Sequence, residues 1–426
     1  MKKDISNVYF IVLDALRSDH VKYMPWLLSK VNDGVYVKHL EISSGFCERS
    51  EIFFNLKPSE TGFVNAISID IDSKYNIRPY SWLPNWLITP LIFFEKNRFF
   101  QKIIRYFLWK ISLKQSSPAM YPQKIPLNIL DQVILTEDSI NFEEYSKKIQ
   151  SGLLWEYIKS GYKINWDYFT SLSSISFGTD FSRLETLVDK LSNYKRSFIP
   201  VYISTADVLG HKFGPHSTEI IKGLEDLDMK LKNFYHSCIK HDKECSISFL
   251  GDHGMENVDV GINIESIIQS LANNMNLRLR KDFYYFLDST MLRIWWKSGN
   301  KEKLKNFYKE LLSNKELKEK GYFLNDEDCK NEGLPPVKDI ADIVWWAKKG
   351  VQVSPDFFHN ESQLKAGMHG YLKKDKISSG FFLLIADNIL SYSYDKLDIS
   401  NLVDIHRVLS NEDIGSFINS RREEVL

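Results

Sequence analysis

Ser246-Ile247-Ser248-Phe249-Leu250-Gly251-Asp252-His253-Gly254 is the stretch on which the fold turns. Its apolar half reads as a short buried strand, and an acid–imidazole pair followed by glycine stands just past the strand's end. Two other segments repeat the arrangement. Ser197-Phe198-Ile199-Pro200-Val201-Tyr202-Ile203 reads as a strand and leads to Asp207 and His211, four apart; Val8-Tyr9-Phe10-Ile11-Val12-Leu13 is a continuous apolar run that ends at Asp14. Such runs suit strands covered on both faces. Open parallel sheets bind ligands just outside their strand ends, so three acids delivered there point to a shared site. Gly367-Met368-His369-Gly370 adds a lone histidine.

Each piece alone has an ordinary explanation. An Asp-x-x-x-His pair is usually a surface helix pair, and an Asp after a strand usually caps the next helix. Together, Asp14, Asp207, His211, Asp252, His253 and His369 make six candidate ligands. Mixed carboxylate and imidazole donors suit Zn²⁺ or a similar divalent transition metal, and six protein ligands suffice for two ions with positions left for substrate. The chain therefore reads as a two-metal hydrolase.

Val12-Leu13-Asp14-Ala15-Leu16-Arg17-Ser18-Asp19-His20, Asp207-Val208-Leu209-Gly210-His211-Lys212-Phe213-Gly214-Pro215, Gly251-Asp252-His253-Gly254-Met255 and Met368-His369-Gly370-Tyr371 occur in the order found in the alkaline phosphatase superfamily. The chain most resembles the type I phosphodiesterase/nucleotide pyrophosphatase branch. The resemblance implies an α/β fold: an alkaline phosphatase-like core, 1–58 and 175–426, with a mostly parallel central sheet flanked by helices, an inserted cap at 59–174 and a second insertion at 297–350. It implies one ion held by Asp207, His211 and His369 and another by Asp14, Asp252 and His253, with Zn²⁺ expected and Mn²⁺ an alternative. Sulfatases of the superfamily pair acids after the first strand, whereas Ala15 follows Asp14 here, which favours phosphoester chemistry. The activity implied is phosphodiester or pyrophosphate hydrolysis of a nucleotide-, glycan- or lipid-linked phosphate; the alternatives are a phosphotransferase or mutase of the same fold and a catalytically degenerate metal-binding relative.

The family places a Thr or Ser nucleophile before a helix leading to a Gly-Leu-Tyr-Pro-like turn. This chain has Ser43-Ser44-Gly45-Phe46-Cys47-Glu48-Arg49-Ser50, and counting back from Pro58 puts that position on Gly45. Cys47 and Ser44 are the neighbours that could serve. Cys47 is preferred, because a helix start and a nearby Arg49 lower a thiol pKa, and Arg49 could also bind phosphate; Ser44 would need metal activation. A buried, inert Cys47 is the plain alternative.

At 426 residues and 43% hydrophobic content, the chain can bury one extensive α/β core plus a cap. Basic and acidic residues balance at 55 each, so no nucleic-acid partner is expected. No signal peptide is apparent, and Cys47, Cys238, Cys245 and Cys329 are too few and scattered for a disulfide framework, which favours a cytoplasmic location. Within the cap, the 82–114 segment carries many aromatics among Lys96, Arg98, Lys102, Arg105, Lys110 and Lys114. Proline and charge interrupt it too often for a membrane span. It reads either as a cap helix packed on the core or as an interfacial element giving peripheral membrane contact. Residues 219–235 carry a helical pattern whose acids Glu225, Asp226 and Asp228 read as a solvated face, the run 288–296 reads as a strand, and 301–320 as a solvent-exposed helix.

Overall fold

The computed structural model describes residues 6–70, 78–95, 97–115, 120–169, 179–359, 363–387 and 389–410. The expected cap boundary at 174/175 and Lys96 lie outside them. Strand β1 (Asn7–Leu13) is buried along its whole length. Its alternate side chains enter two cores. Tyr9, Ile11 and Leu13 meet Leu224, Leu227 and Leu231 of the helix Thr218–His241 on one side; Val8, Phe10 and Val12 meet Phe53, Phe54, Leu153 and Tyr157 on the other. A strand wrapped this way favours apolar residues on both faces, which is why the run from Val8 to Leu13 reads as it does.

Six further strands join it: β2 (Val35–Glu41), β3 (Lys163–Ile164), β4 (Ser197–Ile203), β5 (Ser246–Gly251), β6 (Gly380–Ala386) and β7 (Tyr392–Asp398), in the order β7-β2-β6-β5-β1-β4-β3. Both pairs made by β6 are antiparallel and all other neighbours are parallel. This is the mostly parallel, helix-flanked α/β sheet expected. The helix Thr218–His241 outruns the expected 219–235 at both ends. Asp228 departs from its reading as part of a solvated face: it is buried, and its carboxylate accepts from the backbone N–H of Trp26 and Leu27 at 2.8 and 2.9 Å, capping the short helix Pro25–Ser29. Two charge-assisted hydrogen bonds offset its desolvation.

A second layer is built on an antiparallel sheet of Phe283–Leu287, Met291–Trp296, Ile343–Ala347 and Gly321–Phe323, adjacent in that order. The run from Asp288 to Trp296 holds the expected strand at Met291–Trp296, while residues 288–290 turn between it and the strand before. The segment 59–174 divides. Val64, Ile67, Tyr80, Leu83, Ile88, Leu108 and Val133 share a core with Phe286 and Trp295 of this sheet, whereas Leu153, Leu154 and Tyr157 pack on the central sheet. The lysine-rich stretch forms two helices, Lys301–Ser313 and Lys315–Lys320, broken at Asn314, whose side chain caps the second through Leu317 N–H at 3.0 Å. Among the described residues, no helix is long and apolar enough to cross a membrane. All four cysteines are free and buried.

Candidate metal centre

Strand register assembles the site. Leu13 pairs with Ile203 on one side and with Gly251 on the other, so β1, β4 and β5 end side by side and hand the chain on to Asp14, Ser204 and Asp252. Ala15 turns the chain sharply, with a left-handed φ of 55°, and its N–H donates to Asp252 Oδ1 at 3.0 Å. Backbone strain of this kind persists where surrounding structure over-determines it. Past β4, Asp180 accepts from Ser204 N–H and Thr205 Oγ1, each at 2.8 Å, and so holds the start of the helix Thr205–Phe213 that carries Asp207 and His211 on one face. A two-residue strand, Gly367–Met368, pairs with Glu256–Asn257 and brings His369 to them. Gly210 lets Met255 pack close there: a Cβ on it would lie 2.3 Å from Met255 Sδ, so that side chain would have to move.

Two clusters result, Asp207 with His211 and His369, and Asp14 with Asp252 and His253; within each, one donor atom per residue lies within 4.8 Å of the others. Asp207 Oδ1 is 3.1 Å from His211 Nε2 and 3.4 Å from His369 Nε2, and Asp14 Oδ1 is 3.4 Å from His253 Nε2. The clusters adjoin, since the rings of His253 and His369 stack at 4.3 Å. The outer shell fixes the ligand atoms. His211 Nδ1 lies 2.8 Å from the Gly367 carbonyl and His253 Nδ1 3.1 Å from that of Gly254, so each ring donates outward and aims Nε2 inward. Asp252 Oδ1 accepts from the N–H of Ala15 and His253, and the Tyr202 hydroxyl donates to Asp14 Oδ2.

Asp252 Oδ2 is fully buried and accepts no hydrogen bond among the described residues, and buried Asp207 Oδ1 has beside it the imidazole Nε2 atoms of its own cluster. A buried carboxylate oxygen in the condition of Asp252 Oδ2 is costly, and a cation is the partner it fits. The electrostatics agree. Burial pushes the Asp14 carboxyl up and the Asp207 charge adds to this; burial drives Asp252 well up against the pull of His253, with Asp14 and Glu48 adding repulsion. Asp207 goes the other way, because His211 and His369 beside it outweigh burial. His211 and His253 are raised against burial by their carboxylate neighbours, while burial and the charge of His253 lower His369. Three buried carboxyl groups with an acid at their side form an electron-rich pocket that a divalent ion relieves.

Both clusters open into a cavity of about 930 Å³ that Glu48, Arg49, Glu137, Asp288, Ser289 and His359 also line. Of the three residues expected to act on substrate, only Arg49 lines it. Cys47 lies beneath, and burial pushes its thiol well up, with Glu137 and Glu48 adding to the rise. The expected lowering by helix start and Arg49 is thus overturned, since desolvation outweighs both. Ser44 lines an adjoining cavity of about 470 Å³ that also touches Asp252, His253 and His369, but its hydroxyl donates to Glu332 at 2.6 Å and accepts from Lys373 N–H at 3.1 Å.

The sequence reading passed over several groups that line the main cavity. Glu48 follows Cys47 and faces the clusters. Asp356 holds His359 by its Nδ1 at 2.7 Å and accepts from Ser289 Oγ at 2.9 Å. An Asp-x-x-His spacing was the available signal for that pair, because the buried strand before it, Val351–Val353, is only three residues long and carries Gln352 at its centre.

A mostly parallel sheet with helices on both faces and acid–imidazole clusters at its strand ends defines an alkaline phosphatase-like protein. The chain belongs to the type I phosphodiesterase/nucleotide pyrophosphatase family, whose model matches residues 10–372. It is 28% identical over 247 residues to venom phosphodiesterase 2 of Crotalus adamanteus, covering 52% of this chain and 27% of that one. An uncharacterized pyrophosphatase/phosphodiesterase of Schizosaccharomyces pombe is 22% identical over 49% of this chain and 43% of its own length. The chain thus spans less than half the length of these curated relatives. Among solved structures it is similar to murine ectonucleotide pyrophosphatase/phosphodiesterase 5, an inactive form in complex with AMP, with a TM-score of 0.62 at 15% identity over 97% of this chain and 98% of that one. The human counterpart gives the same score over 96% of each chain.

Proposed function

We propose that this chain is a metal-dependent phosphodiesterase or pyrophosphatase acting on a nucleotide-, glycan- or lipid-linked phosphate. The observation that carries the reading is the two adjoining acid–imidazole clusters that open into one large cavity, with the buried Asp252 Oδ2 accepting no hydrogen bond among the described residues. Asp207, His211 and His369 would hold one ion and Asp14, Asp252 and His253 the other, with Zn²⁺ or Mn²⁺ suited to the donors. Such ions supply positive charge that polarises a phosphoryl group and steadies the oxygens that gain charge. Arg49 binds the phosphate oxygens. Glu48, at the start of the helix Glu48–Phe54, takes a proton from the attacking water as the water oxygen bonds to phosphorus and the phosphorus–oxygen bond to the leaving group breaks, and His359, steered by Asp356, gives a proton to the leaving oxygen. The name of the similar murine protein and the AMP bound to it support a nucleotide-containing substrate. Four free, buried cysteines support a reducing compartment such as the cytoplasm.

The test is turnover of bis(p-nitrophenyl) phosphate, p-nitrophenyl phosphate and p-nitrophenyl sulfate with Zn²⁺, Mn²⁺ or EDTA, together with metal content per chain. Diester cleavage that EDTA abolishes and Asp207→Asn removes, with two ions bound, is expected. Preference for the sulfate, or metal binding without turnover on any ester, would overturn the hydrolase reading; product formation only with an added alcohol would replace it with phosphotransfer.

A further inference from the structure

The helices Asn85–Glu95 and Arg98–Gln115 form a hairpin whose inner side is rooted in the second layer. Ile88 and Leu108 enter the core, and Arg105 pairs with Glu95 at 2.7 Å and donates to the Pro122 carbonyl at 3.0 Å. The outer side is the anomaly. A surface helix of a water-soluble domain presents polar residues outward, yet Phe99, Ile103 and Phe107, spaced four apart, run along the outer face of the longer helix. Phe99 is 68% exposed, Phe107 60% and Trp86 76%. Eleven of the eighteen large hydrophobic side chains exposed among the described residues fall within 85–115. They are contiguous: the rings of Phe94 and Phe100 meet across the turn at 6.1 Å, and Phe99 meets Phe100 at 5.8 Å. Patches of this kind mark interaction sites.

Charge selects the partner. In a chain with equal numbers of acids and bases, residues 85–115 contain six basic residues and one acid. That acid, Glu95, is turned inward onto Arg105, while Lys102, Lys110 and Lys114 are exposed. Aromatics beside lysines whose stems reach along apolar surface suit the headgroup region of an anionic bilayer. A second copy fits poorly, because a symmetric contact would bring the same lysines together. Neither helix is long and apolar enough to cross a membrane. We propose that the 85–115 hairpin docks this chain onto the surface of an anionic lipid bilayer, lying in the interface through its outer aromatic face and held by its lysines.

Flotation of the full chain with large unilamellar vesicles of phosphatidylcholine, alone or with phosphatidylglycerol, tests this without reference to turnover. The wild type is expected to float with the anionic vesicles at low salt, less at high salt, and poorly with phosphatidylcholine alone. Phe99→Ser with Phe107→Ser, and separately Lys102→Gln with Lys110→Gln and Lys114→Gln, are each expected to weaken binding on the order of tenfold or more. These side chains face outward, and an unchanged thermal melt would show that both variants fold. No flotation of the wild type on anionic vesicles at low salt, equal flotation of wild type and variants, or equal binding to both lipid mixtures would overturn the proposal. A wild-type dimer that the phenylalanine variant dissolves, without lipid binding, would assign the face to a second copy instead.

Discussion

At the residue scale, burial decides which side chains can do chemistry. Cys47→Ala is expected to leave diester turnover within about twofold, since a buried, protonated thiol is a poor nucleophile. Glu48→Gln should lower kcat roughly 10²–10⁴-fold, the range for loss of a positioned proton acceptor, with metal content preserved. Equal loss in Cys47→Ala would reverse these assignments. Glu137 offers a separate test. Burial pushes its carboxyl up to about 7, against the pull of Arg49, so between the ordinary carboxyl value and 7 the native state binds more protons than the unfolded chain. Its contribution is fully present below about pH 4.5 and is lost as pH rises through 7. In EDTA, Glu137→Gln should therefore gain stability relative to wild type across that window, by up to about 3 kcal/mol in urea titrations; a pH-independent difference would refute it. The six proposed ligands were legible because each is an Asp or His tied to a short motif, three of them past apolar runs. The burial of Cys47 was not legible, because the helix-start argument concerned its place in the chain and said nothing of its depth.

At the scale of elements, β1 and β4 were legible because strands covered on both faces are apolar along most of their length, whereas β5 carries the buried Ser246 and Ser248 and was marked mainly by the Asp-His-Gly that follows it. The second sheet was not legible. Its strands are short and antiparallel, and the turn at Asp288–Thr290 forms the start of a run whose remainder is the strand, so propensity alone does not mark where the strand begins. The reversed strand β6 was equally unreadable, because direction leaves no trace in composition. That strand approaches β5 so closely that a Cβ on Gly380 would lie 1.8 Å from the Gly251 carbonyl oxygen. Gly380→Ala must separate the two strands next to Asp252. A loss of roughly 1–3 kcal/mol in stability is expected, together with weaker metal retention on dialysis. Unchanged retention would show that the strand ends move independently of the ligands.

For the whole molecule, His406 ties the final described helix to the central sheet. It is fully buried among Phe10, Phe382 and Tyr157, with the Tyr157 hydroxyl 2.6 Å from its Nδ1, and burial lowers its pKa to about 3. The unfolded chain takes a proton near pH 6.5 and the native state does not, so the stability from this group is present above 6.5 and is lost as pH falls toward 3, with a slope of about 1.4 kcal/mol per pH unit. Removing it, as His406→Gln, should flatten acid unfolding over that range; an unaltered profile would show that other groups govern it. The ligand clusters have a consequence of another kind. Each draws on segments far apart along the chain, Asp14 with Asp252 and His253, Asp207 and His211 with His369. No fragment released early from a ribosome contains a complete cluster, and closing such long loops is slow. Tight ion capture must then be among the last events in maturation, and retained metal becomes a certificate that the amino-terminal strand and the segment carrying His369 have found their places.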